Sequence, residues 1–122
     1  MTKIFLGQKG EQLVADYLVA QGFQIMARNY RRAYGEIDLI AEKDELLVFV
    51  EVKLRSHVYF DLSEVITASK QRRIILTAKD FLARYTGGER VCRFDVALIN
   101  NQDGQLLLDY IANAFQDSSS DF

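Results

Sequence analysis

Two short stretches of the sequence carry carboxylate and ammonium groups at a spacing that suits metal-dependent hydrolysis. Glu36 and Asp38 are separated by one residue, and so are Glu51 and Lys53. Carboxylate oxygens are the ligands that hold Mg²⁺ or Mn²⁺, and a bound metal ion polarises a phosphoryl oxygen and lowers the pKa of a bound water. A nearby ammonium group can orient that water or stabilise the developing charge. The residue types therefore favour hydrolysis of a phosphodiester bond.

The surrounding pattern places both stretches on neighbouring strands. Glu36–Ala41 and Leu46–Leu54 are predicted strands, and the polar turn between them is typical of a hairpin. Because side chains two residues apart share a face of a strand, the two charged pairs should lie side by side across this hairpin. Two buried carboxylates are costly without a cation between them. Lys53 or a divalent metal ion could supply that charge.

The remaining periodicity predicts helices on either side of a mixed sheet. The continuous apolar run of Leu46–Leu54 indicates a central strand that is buried on both faces. Gly22 fits a helix end, and Ser63 is predicted to cap the second helix. The order is α-β-β-β-α-β-β, an α/β class. The other predicted elements are a helix over Ile4–Ala20, a strand over Phe23–Arg28, a helix over Ser63–Tyr85, and strands over Val91–Ile99 and Leu106–Ile111.

Length and composition predict one domain of ordinary soluble character. The chain has 122 residues, of which 49% are hydrophobic and 26% charged. We expect a single domain over residues 1–115 and a disordered tail over 116–122. No apolar run approaches the roughly 18 residues that would span a bilayer, and the N-terminus lacks a signal-peptide core. Cys92 is the only cysteine, which excludes an intramolecular disulfide and a thiolate metal cage. We expect a cytoplasmic protein with no membrane partner.

The charge distribution bears on nucleic acid as a partner. The net charge of −2 argues mildly against it, because phosphate binding depends on Lys and Arg. The charge is uneven, however: Arg28–Arg93 holds 13 Lys or Arg and 10 Asp or Glu, whereas the chain from Phe94 onward holds five acids and no base. If several central acids bind metal, the surrounding face is more basic than the total suggests.

The segments Gly35–Asp38 and Val48–Arg55 resemble the signature of PD-(D/E)xK nucleases. Over nearly its whole length the chain resembles the YraN family, which is related to archaeal Holliday junction resolvases. Further matching positions lie at Gly7–Leu18 in the first helix, at Arg28–Arg31, and at Arg93–Val96. The resemblance implies a restriction-endonuclease-like fold and a Mg²⁺- or Mn²⁺-dependent DNA endonuclease. Branched DNA is the expected substrate by analogy with resolvases, and a homodimer is a hypothesis because symmetric cuts need two sites.

The resemblance also implies a role for individual residues. Asp38 and Glu51 are the expected metal ligands, with the backbone carbonyl of Val52 as a further ligand. Glu11, from the first helix, would complete the metal site. Lys53 corresponds to the catalytic lysine.

Basic side chains around this site are predicted to contact the phosphate backbone of DNA. Arg55 could equally balance the carboxylates, and the basic face of the second helix could simply be solvated. The predicted nucleic-acid-binding residues are Arg28, Arg31, Arg32, Arg55, Lys70 and Arg73.

Several neighbouring residues have simpler interpretations. Glu36 is predicted to form a salt bridge near the sheet edge, Asp95 to pair with a base such as Arg93, and His57 to lie on the surface. Four aromatic residues near the site could stack on bases or seal the ends of the sheet: Tyr30, Tyr34, Tyr59 and Phe60. Two rival functions stay open, a catalytically silent nucleic-acid-binding module and a protein-interaction adaptor built around the acidic C-terminal segment.

Overall fold

The computed structural model describes residues 3–55 and 62–117. The predicted order of elements is confirmed, except that the second helical region is divided in two. Within the described ranges, no helix is both long and apolar enough to cross a membrane. The elements are α1 (Lys3–Ala20), β1 (Gln24–Arg32), β2 (Gly35–Lys43), β3 (Leu46–Arg55), α2 (Leu62–Val65), α3 (Ala68–Arg84), β4 (Val91–Gln102) and β5 (Gln105–Phe115).

The five strands form one mixed sheet in the order β1-β2-β3-β4-β5. β3 and β4 run parallel, and the other neighbouring strands are antiparallel. A parallel pair needs a crossover connection, which the α2 and α3 segment provides. The architecture is the α/β class of restriction-endonuclease-like domains, as the sequence predicts. The apolar run of β3 lies at the centre, where Leu47–Val50 is buried.

Each face of the sheet packs against one long helix. On one face, Val14 and Leu18 of α1 pack with Leu39 and Val48 in a core that we call the α1 core. On the other face, Ile74 and Ala78 of α3 belong to a second core, the α3 core, together with the following strand residues: Ile37, Ile40, Phe49, Phe94, Val96 and Leu98. The sheet is thus covered on both sides, as expected for parallel strands.

The two helix ends that the sequence marks have different outcomes. α1 ends as predicted, because Gly22 adopts a left-handed φ of 96° and Phe23 N–H donates to the Leu18 carbonyl at 2.9 Å. The predicted cap at Ser63 is wrong, since Ser63 lies inside the short α2. The cap of α3 is Thr67, whose hydroxyl accepts the Lys70 N–H at 3.2 Å. The helical conformation is interrupted between α2 and α3, where the side chains of Val65 and Ile66 are buried in the α3 core.

β1 and β5 are longer than predicted. β1 continues to Arg32 because Arg31 and Arg32 pair with Glu36 and Gly35 of β2. β5 continues to Phe115, whose ring stacks on Phe94 with the ring centroids 5.1 Å apart. Pairing and core contacts extend these strands through polar residues that have little intrinsic strand preference.

Asp95 is a fully buried carboxylate at an irregularity between β4 and β5. Its two oxygens accept Nε and Nη2 of Arg93, each at 2.9 Å. The Tyr110 hydroxyl and the Asn113 N–H also donate to it. The predicted structural role of Asp95 is therefore confirmed. Burial, and then the bond to Asp95, raise the pKa of the Tyr110 hydroxyl.

We expect Asp95→Ala to lower the free energy of unfolding by about 3 kcal/mol or more, because it leaves a guanidinium, a hydroxyl and an amide without their acceptor. Urea unfolding measures this loss. Asp109→Ala, an exposed carboxylate on β5, is the matched control and should stay within about 0.5 kcal/mol of the wild type. An equal loss in both variants would contradict the role of the Asp95 network.

Candidate metal centre

The candidate site forms where β2 and β3 stop pairing. Their register runs from Lys43 with Leu46 to Leu39 with Val50. Asp38 and Glu51 lie just past that last pair. The Asp38 carboxylate turns back to β3, and its Oδ2 accepts the Val52 N–H at 2.7 Å. A backbone amide of β3 thus bonds a side chain of β2, which fixes the carboxylate at the point where the strands separate.

β2 changes its facing at Asp38, which means that its side chains stop alternating regularly between the two faces of the sheet. Ile37 belongs to the α3 core and Leu39 to the α1 core, although residues two apart on a regular strand share a face. On β1, Arg28 pairs with Leu39 and Tyr30 pairs with Ile37. The intervening Asn29 has a φ of 51°. β1 and β2 are therefore irregular at neighbouring positions, β1 at Asn29 and β2 at Asp38.

This irregularity corrects the predicted side-by-side arrangement of the two charged pairs. Asp38 does contact Glu51 of β3, since the two side chains share a hydrogen bond. Glu36 instead lies near Glu11 of α1, and the amide of Asn29 is within 3.2 Å of a carboxylate oxygen of each. Glu36 also forms the predicted salt bridge, to Arg31 at 3.2 Å.

The contact between Asp38 and Glu51 shifts the proton equilibrium of Asp38. Burial, and then the hydrogen bond to Glu51 and its charge, raise the pKa of Asp38 from 3.8 to about 8, whereas the Val52 N–H opposes the shift. Two neighbouring carboxylates cannot both ionise without a compensating charge. In the absence of a cation, Asp38 therefore retains a proton at neutral pH.

Glu11 reaches the same region from α1. Partial burial, and then the charge of Asp38, raise the pKa of its carboxyl, and the Asn29 amide opposes this shift. Within residues 3–55 and 62–117, however, no three Asp, Glu, His or Cys side chains are close enough together to hold a metal ion as they stand. The predicted donors thus meet at one end of the sheet, with Asp38 and Glu51 in contact and Glu11 beside them.

Lys53 lies two residues after Glu51 on the α3 side of β3, near two other basic side chains. Partial burial, and then the charges of Lys70 and Arg55, lower the pKa of the Lys53 ammonium, while Glu51 and Asp38 raise it. Lys70 also lies 3.4 Å from the Val65 carbonyl through its Nζ. Lys53 therefore lies within electrostatic range of Lys70, of Arg55 and of the carboxylate pair.

The other predicted basic residues are engaged in local contacts. Arg28 donates to Gln12 at 2.9 Å, and Arg73 donates to Ser69 at 3.1 Å. Arg32 pairs with Asp80 at 2.9 Å. Their contact with nucleic acid stays a prediction.

A network of donors around Asp80 is absent from the sequence-based predictions. Tyr30, Arg32 and Arg84 all donate to this carboxylate, and the first two contacts hold its pKa at about 2. Tyr30 also packs edge-on against Phe81, so its ring covers the α3 core at β1. The four-residue spacing of Asp80 and Arg84 was the available signal.

The other residues predicted to flank the site have different outcomes. Tyr34 is half exposed, whereas His57, Tyr59 and Phe60 fall outside the described residues. A cavity of about 550 Å³ opens near Leu46 at the other end of β3, with Tyr17 and Tyr110 in its lining. The carboxylate pair does not line it, so the candidate chemistry and this cavity are separate features.

Comparisons with known proteins identify the family. A family model described as "Uncharacterised protein family UPF0102" matches residues 10–99. The chain belongs to the UPF0102 family. A UPF0102 protein of Symbiobacterium thermophilum is 46% identical over 112 residues, covering 90% of this chain and 95% of its own. A UPF0102 protein of Methylobacillus flagellatus is 42% identical over 111 residues, covering 90% and 96%. One from Treponema pallidum is 43% identical over 119 residues, covering 92% and 93%.

The donor set of this UPF0102 protein suits a hard divalent cation. Asp38 and Glu51 offer carboxylate oxygens, and the Val52 carbonyl lies on the same strand segment. Mg²⁺ is usually held by one or two carboxylates and retains several waters or substrate oxygens, so a closed cage of three acidic side chains is not required. A cation would also replace the proton on Asp38, because it supplies the charge that both ionised carboxylates need.

The carboxylate pair predicts an unusual pH dependence for the metal-free protein. Asp38 titrates near 3.8 when unfolded and at about 8 when folded, so the unfolded chain loses this proton first. The Asp38 contribution to stability is therefore fully present below about pH 4 and is lost as the pH rises to about 8. Asp38→Asn should remove this fall and raise the melting temperature at pH 8 by several degrees.

Thermal melts in EDTA at pH 5 and pH 8 measure this difference. Glu45→Gln, which changes an exposed carboxylate in the turn between β2 and β3, is the control and should follow the wild type at both values. A lower melting temperature for Asp38→Asn at pH 8 would show that the ionised pair is not strained.

Proposed function

We propose that this UPF0102 protein is a Mg²⁺- or Mn²⁺-dependent DNA endonuclease of the PD-(D/E)xK superfamily, as its resemblance to the YraN family implies. The observation that carries the proposal is the contact between the Asp38 and Glu51 carboxylates at the point where β2 and β3 separate. An adjacent lysine, Lys53, lies two residues beyond Glu51. A partly buried carboxylate pair with an ammonium group beside it is costly as mere structure and useful for phosphodiester hydrolysis.

Each group in the site has a distinct role in this proposal. Asp38, Glu51 and the Val52 carbonyl hold the metal ion, with Glu11 as a further ligand. When bound, Mg²⁺ or Mn²⁺ supplies polarisation of the phosphoryl oxygen and a more acidic water. The Val52 N–H holds Oδ2 of Asp38, which fixes this carboxylate beside Glu51. The Lys53 ammonium orients the attacking water or stabilises the charge that develops on phosphate.

The substrate would be recognised mainly through its phosphates. Lys53, Arg55 and Lys70 flank the carboxylates on the α3 side, and Arg28 and Arg31 lie on β1. Contacts of this kind position DNA without reading its sequence. A branched substrate and a homodimer rest on analogy with resolvases, and a cytoplasmic location belongs to the same proposal.

Cleavage of labelled DNA tests the proposal directly. We expect the wild type to cut at least one of four substrates (single-stranded, duplex, flap and four-way junction) with Mg²⁺ or Mn²⁺. Glu51→Gln should reduce the rate by at least about 10²-fold, since the amide loses the charge that holds the cation. Asp103→Asn, which changes an exposed carboxylate in the β4–β5 turn and suits its φ of 52°, should cut like the wild type.

Other outcomes of the cleavage experiment would favour one of the two rival functions. If the folded wild type cuts none of these substrates but binds DNA in a salt-dependent manner, the silent binding module is the better account. If it binds neither Mn²⁺ nor DNA, the adaptor function replaces both. Equal cutting by wild type and Glu51→Gln would point to a contaminating nuclease or to another site.

The basic residues beside the carboxylates predict a salt-dependent affinity for DNA. Lys70→Ala should weaken binding uniformly across sequences and reduce the slope of log K against log [salt] by about 1, because one phosphate contact is lost. Fluorescence anisotropy in EDTA over a salt series measures this slope without cleavage. Lys43→Ala removes one positive charge at the other end of the sheet, where its Nζ donates to the Gln21 carbonyl, and should leave the slope unchanged. An identical loss in both variants would indicate a net-charge effect alone.

A further inference from the structure

Asn29 occupies an unusual backbone position beside the candidate metal centre. Its φ is 51°, in the left-handed region that disfavours residues with a Cβ and that glycine adopts freely. Asparagine tolerates this region better than most residues. The residue lies on β1 between Arg28 and Tyr30, opposite the point where β2 changes its facing at Asp38. Glycine would adopt this φ without strain, so the backbone conformation alone does not account for an asparagine side chain here.

The side chain of Asn29 joins two carboxylates from different elements. Its amide nitrogen donates to Oε1 of Glu11 on α1 and to Oε1 of Glu36 on β2, each at 3.2 Å. This orientation is the consistent one, because the opposite orientation would point the amide oxygen at carboxylate oxygens alone. One neutral group with two donors therefore connects the helix on one face of the sheet to the strand that carries Asp38.

This bridge constrains Glu11, the acid that α1 brings to the site. Glu11 extends from α1, whereas Asp38 is tied to the backbone of β3 through Val52. A carboxylate on a helix near two other acids would otherwise turn away from them. The amide holds one oxygen of Glu11 and leaves the second oxygen available. The same geometry is typical of groups that orient metal ligands from behind.

We propose that Asn29 is a positioning residue that holds the Glu11 carboxylate beside Asp38 and Glu51, so that Glu11 can serve the divalent cation. The inference rests on the proposed metal centre. It assigns Asn29 no contact with the metal or with DNA. The left-handed position carries asparagine because glycine lacks the bridge and aspartate would add a fifth carboxylate to this region.

The test measures Mn²⁺ affinity by isothermal titration calorimetry on the full chain without DNA. Asn29→Gly keeps the left-handed backbone and deletes only the amide, and we expect it to weaken Mn²⁺ binding by roughly 10- to 100-fold. Its melting temperature in EDTA should be unchanged or higher, because glycine relaxes the backbone. Asn113→Gly is the matched control, since Asn113 has a φ of 54° at the Asp95 network, and it should bind Mn²⁺ like the wild type.

A double-mutant cycle separates positioning from a general effect on the fold. Glu11→Gln alone should weaken Mn²⁺ binding, and adding Asn29→Gly to it should cause little further loss, because the bridge then has no ligand to hold. Additive losses, or wild-type affinity in Asn29→Gly, would overturn the inference while leaving the metal centre intact. If the wild type itself binds no Mn²⁺, the proposed function fails and the role of Asn29 fails with it.

Discussion

The contact between the Asp38 and Glu51 carboxylates is the constraint on which the site depends. Two acids at hydrogen-bonding distance repel when both are ionised, so the pair retains a proton unless a cation takes its place. Flexible side chains would escape this repulsion by moving apart. The pair persists because Glu51 lies on the central strand and Asp38 is held by the Val52 N–H.

The neighbouring strand shows how the same fold treats a carboxylate that needs no cation. Asp95 lies on β4, opposite Val50 in the register with β3, and is completely buried. Its oxygens accept bonds from Arg93, Tyr110 and Asn113. The chain thus provides a full set of donors for the buried acid of β4, whereas it places Asp38 of β2 against the Glu51 carboxylate of β3. This contrast is the physical reason for locating the chemistry at Asp38.

The wider framework keeps these positions rigid. α1 and α3 cover opposite faces of the sheet, so β3 cannot shift without disturbing two cores. Glu11 arrives with α1, while Lys53, Arg55 and Lys70 gather on the α3 side. Glu51 shares that α3 side, so acidic groups reach the end of the β2–β3 pair from both faces. This arrangement places one proposed metal ligand, Glu51, directly beside the proposed phosphate contacts.

Strand periodicity and glycine placement were sufficient to predict much of the fold. The apolar run of β3 predicted a central strand, and Gly22 predicted the end of α1. Ser63 and Thr67 are both good caps, and only the burial of Val65 and Ile66 in the α3 core decided between them. Local preference could not make that choice, because the energy that decides it comes from distant residues.

The sequence by itself determined the α/β class, the hairpin and the neighbourhood of Asp38, Glu51 and Lys53, since these follow from local patterns with periods of two or about four residues. Only the tertiary structure decided which way each acid faces. The irregularity shared by Asn29 and Asp38 turned Glu36 towards Glu11 and left Asp38 with Glu51. A change of facing depends on how two strands pair across the sheet, and no residue pattern within either strand encodes it.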